Sequence, residues 1–248
     1  MPRLKKSTYY FIGTLSDPLA RYFVSNFPLA DGFFLEVMMD CISVWGSTYK
    51  DFKSMRLKVE NALDVITAGF SFRTNEPIFY KFRNWVEARK VISKENMIGL
   101  VLPLPKMPPH YPVHSPKNNH WKKSANLYNE LYKGKGNNNH IFALKDYRSA
   151  IADKSENAFL FAYRSIEDIC RAVTGQDDVE KHWDDMHAVL GTSKKIVDPL
   201  LKVSKRVRHG NMAHVVVRRA KKRREKLISI AKQVIEKELK RTFPKFIN

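Results

Sequence analysis

Residues 155–175, SENAFLFAYRSIEDICRAVTG, decide how the second half of this chain is read. Phe159, Ala162, Ile166, Ile169 and Val173 step by three and four, which puts them on one face of a helix. Ser155 is a candidate cap ahead of them, and Thr174-Gly175 supplies a stop. Further along, Asp177 and Asp178 open a segment in which Val179, Trp183, Met186 and Leu190 repeat the spacing up to Gly191. Ile196, Leu200, Val203 and Val207 repeat it up to Gly210, with Pro199 near the start of that third helix, where it shifts the first turn. A fourth runs from roughly Val217 to Thr242 and buries Ala220, Leu227, Ala231, Val234 or Ile235, and Leu239 beneath a dense basic face. Four amphipathic helices joined by short loops predict an all-α antiparallel bundle over residues 142–248.

The first hundred residues read differently. Thr8, Tyr10 and Ile12 alternate with Tyr9, Phe11 and Gly13, and residues 33–40 and 78–82 are short apolar or aromatic runs beside Gly or Pro breaks. Helical spacing over Met55 to Ala68, with Gly69 as its end, completes an α+β domain over residues 1–102. Phe72, Arg73, Phe79, Tyr80, Lys81, Phe82, Arg83 and Trp85 alternate rings with cations, as a half-buried sheet or a base-stacking face would. Between the two domains, Pro103, Pro105, Pro108, Pro109, Pro112 and Pro116 remove amide donors and fix extended backbone. With the Asn-, Lys- and Gly-rich stretch that follows, they predict a linker over residues 103–141. Asn126 to Tyr132 could make a short helical turn within it, between breakers.

Composition narrows the function classes. At 44% hydrophobic and 28% charged, the 248 residues exclude a wholly disordered or collagen-like chain. Lys and Arg number 44 against 25 Asp and Glu, and the net +19 argues for an anionic partner such as nucleic acid, RNA or DNA alike, or an acidic surface. The charge is local, since residues 201–248 hold 16 Lys or Arg and three acids, +13 of the total. Cys41 and Cys170 make neither a disulfide ladder nor a CxxC zinc site, which suits a reducing cytoplasm. The basic N-terminus lacks the apolar core of a secretory signal, and no run approaches the roughly 20 apolar residues of a spanning helix, so no membrane partner is expected. There is no P-loop, GxGxxG or GxSxG, and no cofactor is implied. His182 and His187, five apart among Asp184 and Asp185, point about 140° apart on a helix and do not make a metal site.

The densest concentration of groups capable of catalysis is Lys205-Arg206-Val207-Arg208-His209-Gly210-Asn211-Met212-Ala213-His214, at the junction of the third and fourth helices. The helical half and this cluster together resemble the HEPN superfamily, whose members are short helical bundles with an Arg, four to six intervening residues and a His near that junction. Arg208 and His214, with five residues between them, match. The resemblance covers about residues 142–243 and none of the N-terminal domain. A second register competes: many members carry the His directly before a Gly, here His209-Gly210, with Lys202, Val203 or Ser204 where the Arg would stand. That register has lost its Arg and implies a binding fold without chemistry.

In the first register the resemblance implies a metal-independent endoribonuclease of a toxin or antiviral-defence type. It implies a homodimer with two motifs at one cleft, and an antitoxin or defence-system partner. Arg208 would clamp the phosphate and His214 transfer protons, with His209 and Asn211 assisting. The chemistry is sound: RNA cleavage needs a base for the 2′-hydroxyl, an acid for the leaving oxygen and a cation for charge on phosphorus. His shuttles protons near neutral pH, and Arg holds phosphate bidentately. Glu167 and Arg164 either support the Arg-His loop or pair with each other at three-residue spacing. Lys205, Arg206, Arg218, Arg219, Lys221, Lys222, Arg223 and Arg224 form either a phosphate-binding surface or a solvated face. The rival readings are a capped helix end, with Gly210 as left-handed stop; a nucleic-acid-binding or dimerisation module; and a basic subunit of a larger assembly.

Overall fold

The computed structural model describes residues 7–16, 22–39, 41–48, 52–88, 116–210 and 220–247. The chain forms two compact units, residues 1–67 with 78–129, and residues 68–77 with 130–248. Within the first, aromatic and β-branched residues build an antiparallel sheet of β1 (Ser7–Leu15), β2 (Tyr22–Pro28), β3 (Phe33–Met39), β4 (Cys41–Thr48) and β5 (Tyr80–Ala88), in the order β2-β3-β4-β1-β5. The register sorts side chains by face. Phe11 pairs with Val44, and its ring stacks at 5.9 Å on Phe52 at the start of α1 (Phe52–Thr74). On the opposite face Tyr10 pairs with Trp45, whose indole also stacks on Phe34 at 4.6 Å. The β1–β5 register shifts at Ile12/Gly13, and a Cβ on Gly13 would stand 2.8 Å from the Lys81 carbonyl oxygen, so this close approach requires glycine.

Two expectations are corrected here. Helix α1 does not stop at Gly69 but continues to Thr74, because residues 65–72 are buried all round and that burial outweighs the roughly 1 kcal/mol a mid-helix glycine costs. It ends at Asn75, in the left-handed region at φ +57°. Phe72 and Arg73 are therefore helical, while Tyr80 to Trp85 belong to β5, so the ring-and-cation alternation is not one continuous sheet face. The second correction concerns the linker. Residues 116–132 form a full helix, α2 (Pro116–Tyr132), with Pro116 in its first position, where a missing amide hydrogen costs nothing. Trp121, Ala125 and Leu127 are completely buried, and Asn129 accepts from the Ala30 amide at 2.7 Å and donates to the Pro28 carbonyl at 2.9 Å. Residues 103–115 of the expected linker lie outside the described residues.

The second unit is helical: α3 (Asn138–Ala152), α4 (Asn157–Thr174), α5 (Trp183–Leu190), α6 (Lys194–Arg208), α7 (Ala220–Thr242) and the single turn α8 (Pro244–Ile247). Helices α4 to α7 coincide with the four read from apolar spacing; α3 starts four residues before the expected bundle boundary. Helix α4 is central, packing against α3, α6 and α7, with Phe159, Ala162, Ile166 and Ile169 in the core. Gly175 and Gly191 close α4 and α5 in left-handed conformation, as their positions predict. Pro199 sits on the exposed side of α6, inside the helix.

A buried polar network joins the start of α3 to the end of α7. The Asn137 amide donates to His140 Nδ1 at 3.1 Å, so the opposite nitrogen, Nε2, carries the proton that meets Glu238 Oε1 at 3.0 Å. Glu238 is wholly buried and accepts in addition from Arg241 and Thr242. Burial pushes this carboxyl up, yet the bonds from His140, Arg241 and Thr242 prevail and hold it down at about 2. A depressed folded-state pKa stabilises the fold fully above the ordinary value of 4.5 and loses that contribution as pH falls toward about 2. Replacing His140 with Ala removes one of the partners of buried Glu238 and leaves Arg241 and Thr242, and the expected loss is about 2 kcal/mol from the midpoint of urea unfolding. A loss under about 0.5 kcal/mol, the level of a surface substitution, would show that the pair does not hold α3 to α7.

Candidate functional site

Helix α6 ends at Arg208. The His209 amide donates to the Lys205 carbonyl at 3.1 Å and the Gly210 amide to Val207, also at 3.1 Å, with Gly210 left-handed at φ +67°. Backbone donors thus complete the helix end, and the Arg208 side chain is turned across to α4. Its guanidinium carbon lies 5.9 Å from the centre of the Tyr163 ring, and Nη2 stands 3.9 Å from Glu167 Oε1. Glu167 is 19% exposed and Arg208 53%, so the carboxylate orients the guanidinium from below while its outer side faces solvent. Burial raises the Glu167 carboxyl above the ordinary range, with Arg208 and Arg171 opposing. Burial also pushes the Tyr163 phenol upward, beyond any pH at which it would ionise in the cell.

Glu167 therefore meets the Arg-His junction, and Arg164 does not. Arg164 turns instead to α3 and pairs with Asp146, Nη2 donating to Oδ1 at 3.1 Å and Nε lying 2.9 Å from Oδ2. The expected Arg164–Glu167 pair is replaced by this contact between helices. Arg171 pairs with Asp168 at 2.9 Å. Three carboxylate–guanidinium pairs thus ring α4: Asp146 with Arg164, Glu167 with Arg208, Asp168 with Arg171.

Of the basic residues, Lys205 and Arg206 on α6 and Lys222 and Arg223 on α7 are exposed, as is His209. Arg224 is half-buried and donates to the carbonyls of Ala150 and Asp153, closing the end of α3, so its part is structural rather than that of an open phosphate contact. Asn211, His214, Arg218 and Arg219, and the side chain of Lys221, lie outside the described residues. His182 bonds Asp185 at 2.7 Å and His187 bonds Thr192 at 2.7 Å, so the two rings serve separate partners. Among the described residues, no group of three His, Cys, Asp or Glu is placed to hold a metal ion, and no helix is long and apolar enough to cross a membrane.

Tyr163, Asp146, Asp168 and Arg171 are additions that sequence reading missed. Arg164, Asp168 and Arg171 fall at i, i+4 and i+7, a polar stripe along a helix otherwise read for its apolar face. Asp146 carried no such signal, because its partner comes from another helix. Residues 128–242 match a family described as Domain of unknown function (DUF8168) C-terminal domain. The match spans the end of α2 and all of α3 to α7. Comparison with curated proteins and with solved structures gave no match.

Asp146 yields a pH-dependent prediction. Burial lifts its carboxyl to about 6, with Asp168 and Glu167 adding to the effect and Arg164 opposing it. A carboxyl whose folded pKa exceeds its unfolded value stabilises the fold below the unfolded pKa, near 3.8, and loses that contribution as pH rises through about 6. Between pH 4 and 7 the parent should therefore lose stability relative to Asp146→Asn, by on the order of 2 kcal/mol. Paired thermal melts across that range measure the difference; parallel curves would show that Asp146 titrates normally.

Proposed function

We propose that the helical unit is an HEPN-like bundle and that the chain is a metal-independent endoribonuclease acting as a homodimer. Arg208 clamps the scissile phosphate and His214 moves protons. One observation carries the reading: Arg208, half-exposed at the end of α6, lies over Tyr163 with the half-buried Glu167 carboxylate 3.9 Å away, while backbone amides complete the helix end. A cation recruited only to cap α6 would turn to the last carbonyls of that helix. At 3.9 Å the Glu167 contact orients the guanidinium without occupying all of its donors, which leaves hydrogen-bonding capacity for a phosphate.

The chemistry divides between these groups. A neutral imidazole takes the proton from the 2′-hydroxyl, whose oxygen attacks phosphorus, and the bond to the 5′-oxygen breaks as that oxygen is protonated. The products are a 2′,3′-cyclic phosphate and a 5′-hydroxyl. In a dimer, His214 of each copy supplies one base and one acid, Arg208 stabilises the charge that grows on the phosphoryl oxygens, and His209 and Asn211 add hydrogen bonds. Lys205, Arg206, Lys222 and Arg223 draw in the RNA backbone, together with Arg218, Arg219 and Lys221. A nuclease of this kind suits a toxin or antiviral-defence role with an antitoxin partner. A second reading, binding without cleavage, is favoured by the His209-Gly210 step, where Gly210 adopts a left-handed stop.

Labelled single-stranded RNA incubated in EDTA tests the reading. The parent should cleave it and leave cyclic-phosphate ends, while Arg208→Ala and His214→Ala each slow cleavage by at least about 100-fold with RNA affinity nearly kept. Intact RNA from a folded dimer whose RNA binding weakens steeply with salt would decide for the binding module.

A further inference from the structure

Between α3 and α4 opens a pocket of about 380 Å³, lined by Phe142, Lys145 and Asp146 from α3 and by Arg164, Asp168 and Arg171 from α4. That volume falls in the range of small-ligand sites, and the cleavage chemistry at Arg208 makes no use of it. Its charged walls are layered. The carboxylates lie at the back, Asp146 and Asp168 each 12% exposed, and the guanidiniums stand in front, Arg164 at 55% and Arg171 at 31%. An entering ligand meets cations first, and the three cations exceed the two acids.

Both guanidiniums are already oriented. Arg164 donates from Nη2 to Asp146 Oδ1, with Nε 2.9 Å from Oδ2, and has its guanidinium carbon 5.6 Å from the Phe161 ring centre; Arg171 donates from Nη1 to Asp168. Nη1 of Arg164, and Nε and Nη2 of Arg171, keep N–H groups that make no other hydrogen bond among the described residues. Forks held in place before the ligand arrives lose little entropy on binding an oxyanion. Burial raises the Asp146 and Asp168 carboxyls, with Arg164 and Arg171 opposing. Phe142, which lines the pocket, is 50% exposed and offers an apolar ring face. An exposed ring beside two oriented guanidiniums fits a ligand with both a π-face and a phosphate.

We propose that this pocket is a nucleotide-phosphate site, in which Arg164 and Arg171 receive the phosphate and Phe142 stacks the base. The site rests on the RNA reading only for the source of its ligand, which is either a free mononucleotide or one nucleotide of an RNA strand. Arg164, Glu167 and Arg171 share α4, so a strand engaged at Arg208 would pass along the same helix.

Titration of the full chain with adenosine 5′-monophosphate, adenosine and inorganic phosphate, followed by NMR shifts, tests the site. The monophosphate should bind at least about tenfold more tightly than adenosine, and Arg171→Ala should weaken it about tenfold or more. Phe142→Ala should weaken the monophosphate and leave inorganic phosphate unchanged, while Lys195→Ala, an exposed α6 cation away from the pocket, should alter neither. If Arg171→Ala melts, Arg171→Lys, which keeps the charge and loses the fork, and the surface variant Phe142→Ala decide instead. Equal affinity for adenosine and its monophosphate, or a monophosphate affinity untouched by both Phe142→Ala and an Arg171 variant, overturns the proposal. A parallel loss of single-stranded RNA binding in the Arg171 variant assigns the site to RNA; unchanged RNA binding assigns it to free nucleotide. Monophosphate binding without RNA cleavage would sink the nuclease and leave this site standing, and cleavage without monophosphate binding would do the reverse.

Discussion

A carboxylate withdrawn from water needs a cation or several hydrogen bonds, and among the described residues the helical unit buries Asp146, Asp168 and Glu238 and half-buries Glu167. Each requirement is met across or along helices. Glu238 ties α7 to the start of α3 through His140, and Asp146 ties α3 to α4 through Arg164. Glu167 ties α4 to the end of α6 through Arg208, while Asp168 holds Arg171 within α4. The apolar core around Ile166, Ile169, Ala231, Val234 and Leu239 supplies the driving force for packing, and the ion pairs between helices neutralise charge at the contacts.

The same pairs shape the surface on which function is proposed. A guanidinium anchored by a buried carboxylate is oriented before any ligand arrives, unlike a lysine on a solvated helix face. Much of the basic charge in the last 48 residues has such structural employment. Arg224 closes α3, Arg241 faces Glu238, Lys240 faces Glu236, Lys237 bonds the Gly191 carbonyl, and Lys232 bonds Asn75. Lys237, Lys240 and Arg241 stay exposed while making these contacts, and Lys205, Arg206, Lys222 and Arg223 are exposed as well. The anion recognition proposed for the described part of this unit would therefore centre on α6, the start of α7 and the face of α4.

The helices most legible in the sequence were those whose apolar residues kept the helical period between clear stops, as α4 does up to Gly175 and α6 up to Gly210. Local breakers misled where tertiary burial overrode them. Gly69 did not end α1, because every neighbour from 65 to 72 is buried, and the proline density before Pro116 hid α2, whose Trp121 and Ala125 are paid no attention by a compositional rule. At the site, Arg208 and Glu167 were legible, one from a motif and the other from its place on α4. The roles of Arg164, Asp146 and Arg224 were not, since each depends on a group far away in sequence.

The sequence by itself determined the division into a strand-rich first part and a helical second part, the concentration of positive charge near the C-terminus, and the Arg-His cluster at a helix junction. These follow from periodicity and composition, which are properties of neighbours along the chain. Only the tertiary structure decided which cations are oriented toward solvent and which close helix ends, and that a pocket lies between α3 and α4. The physical reason is that a charge acquires its role from the group facing it, and for Asp146 that group is 18 residues away on another helix.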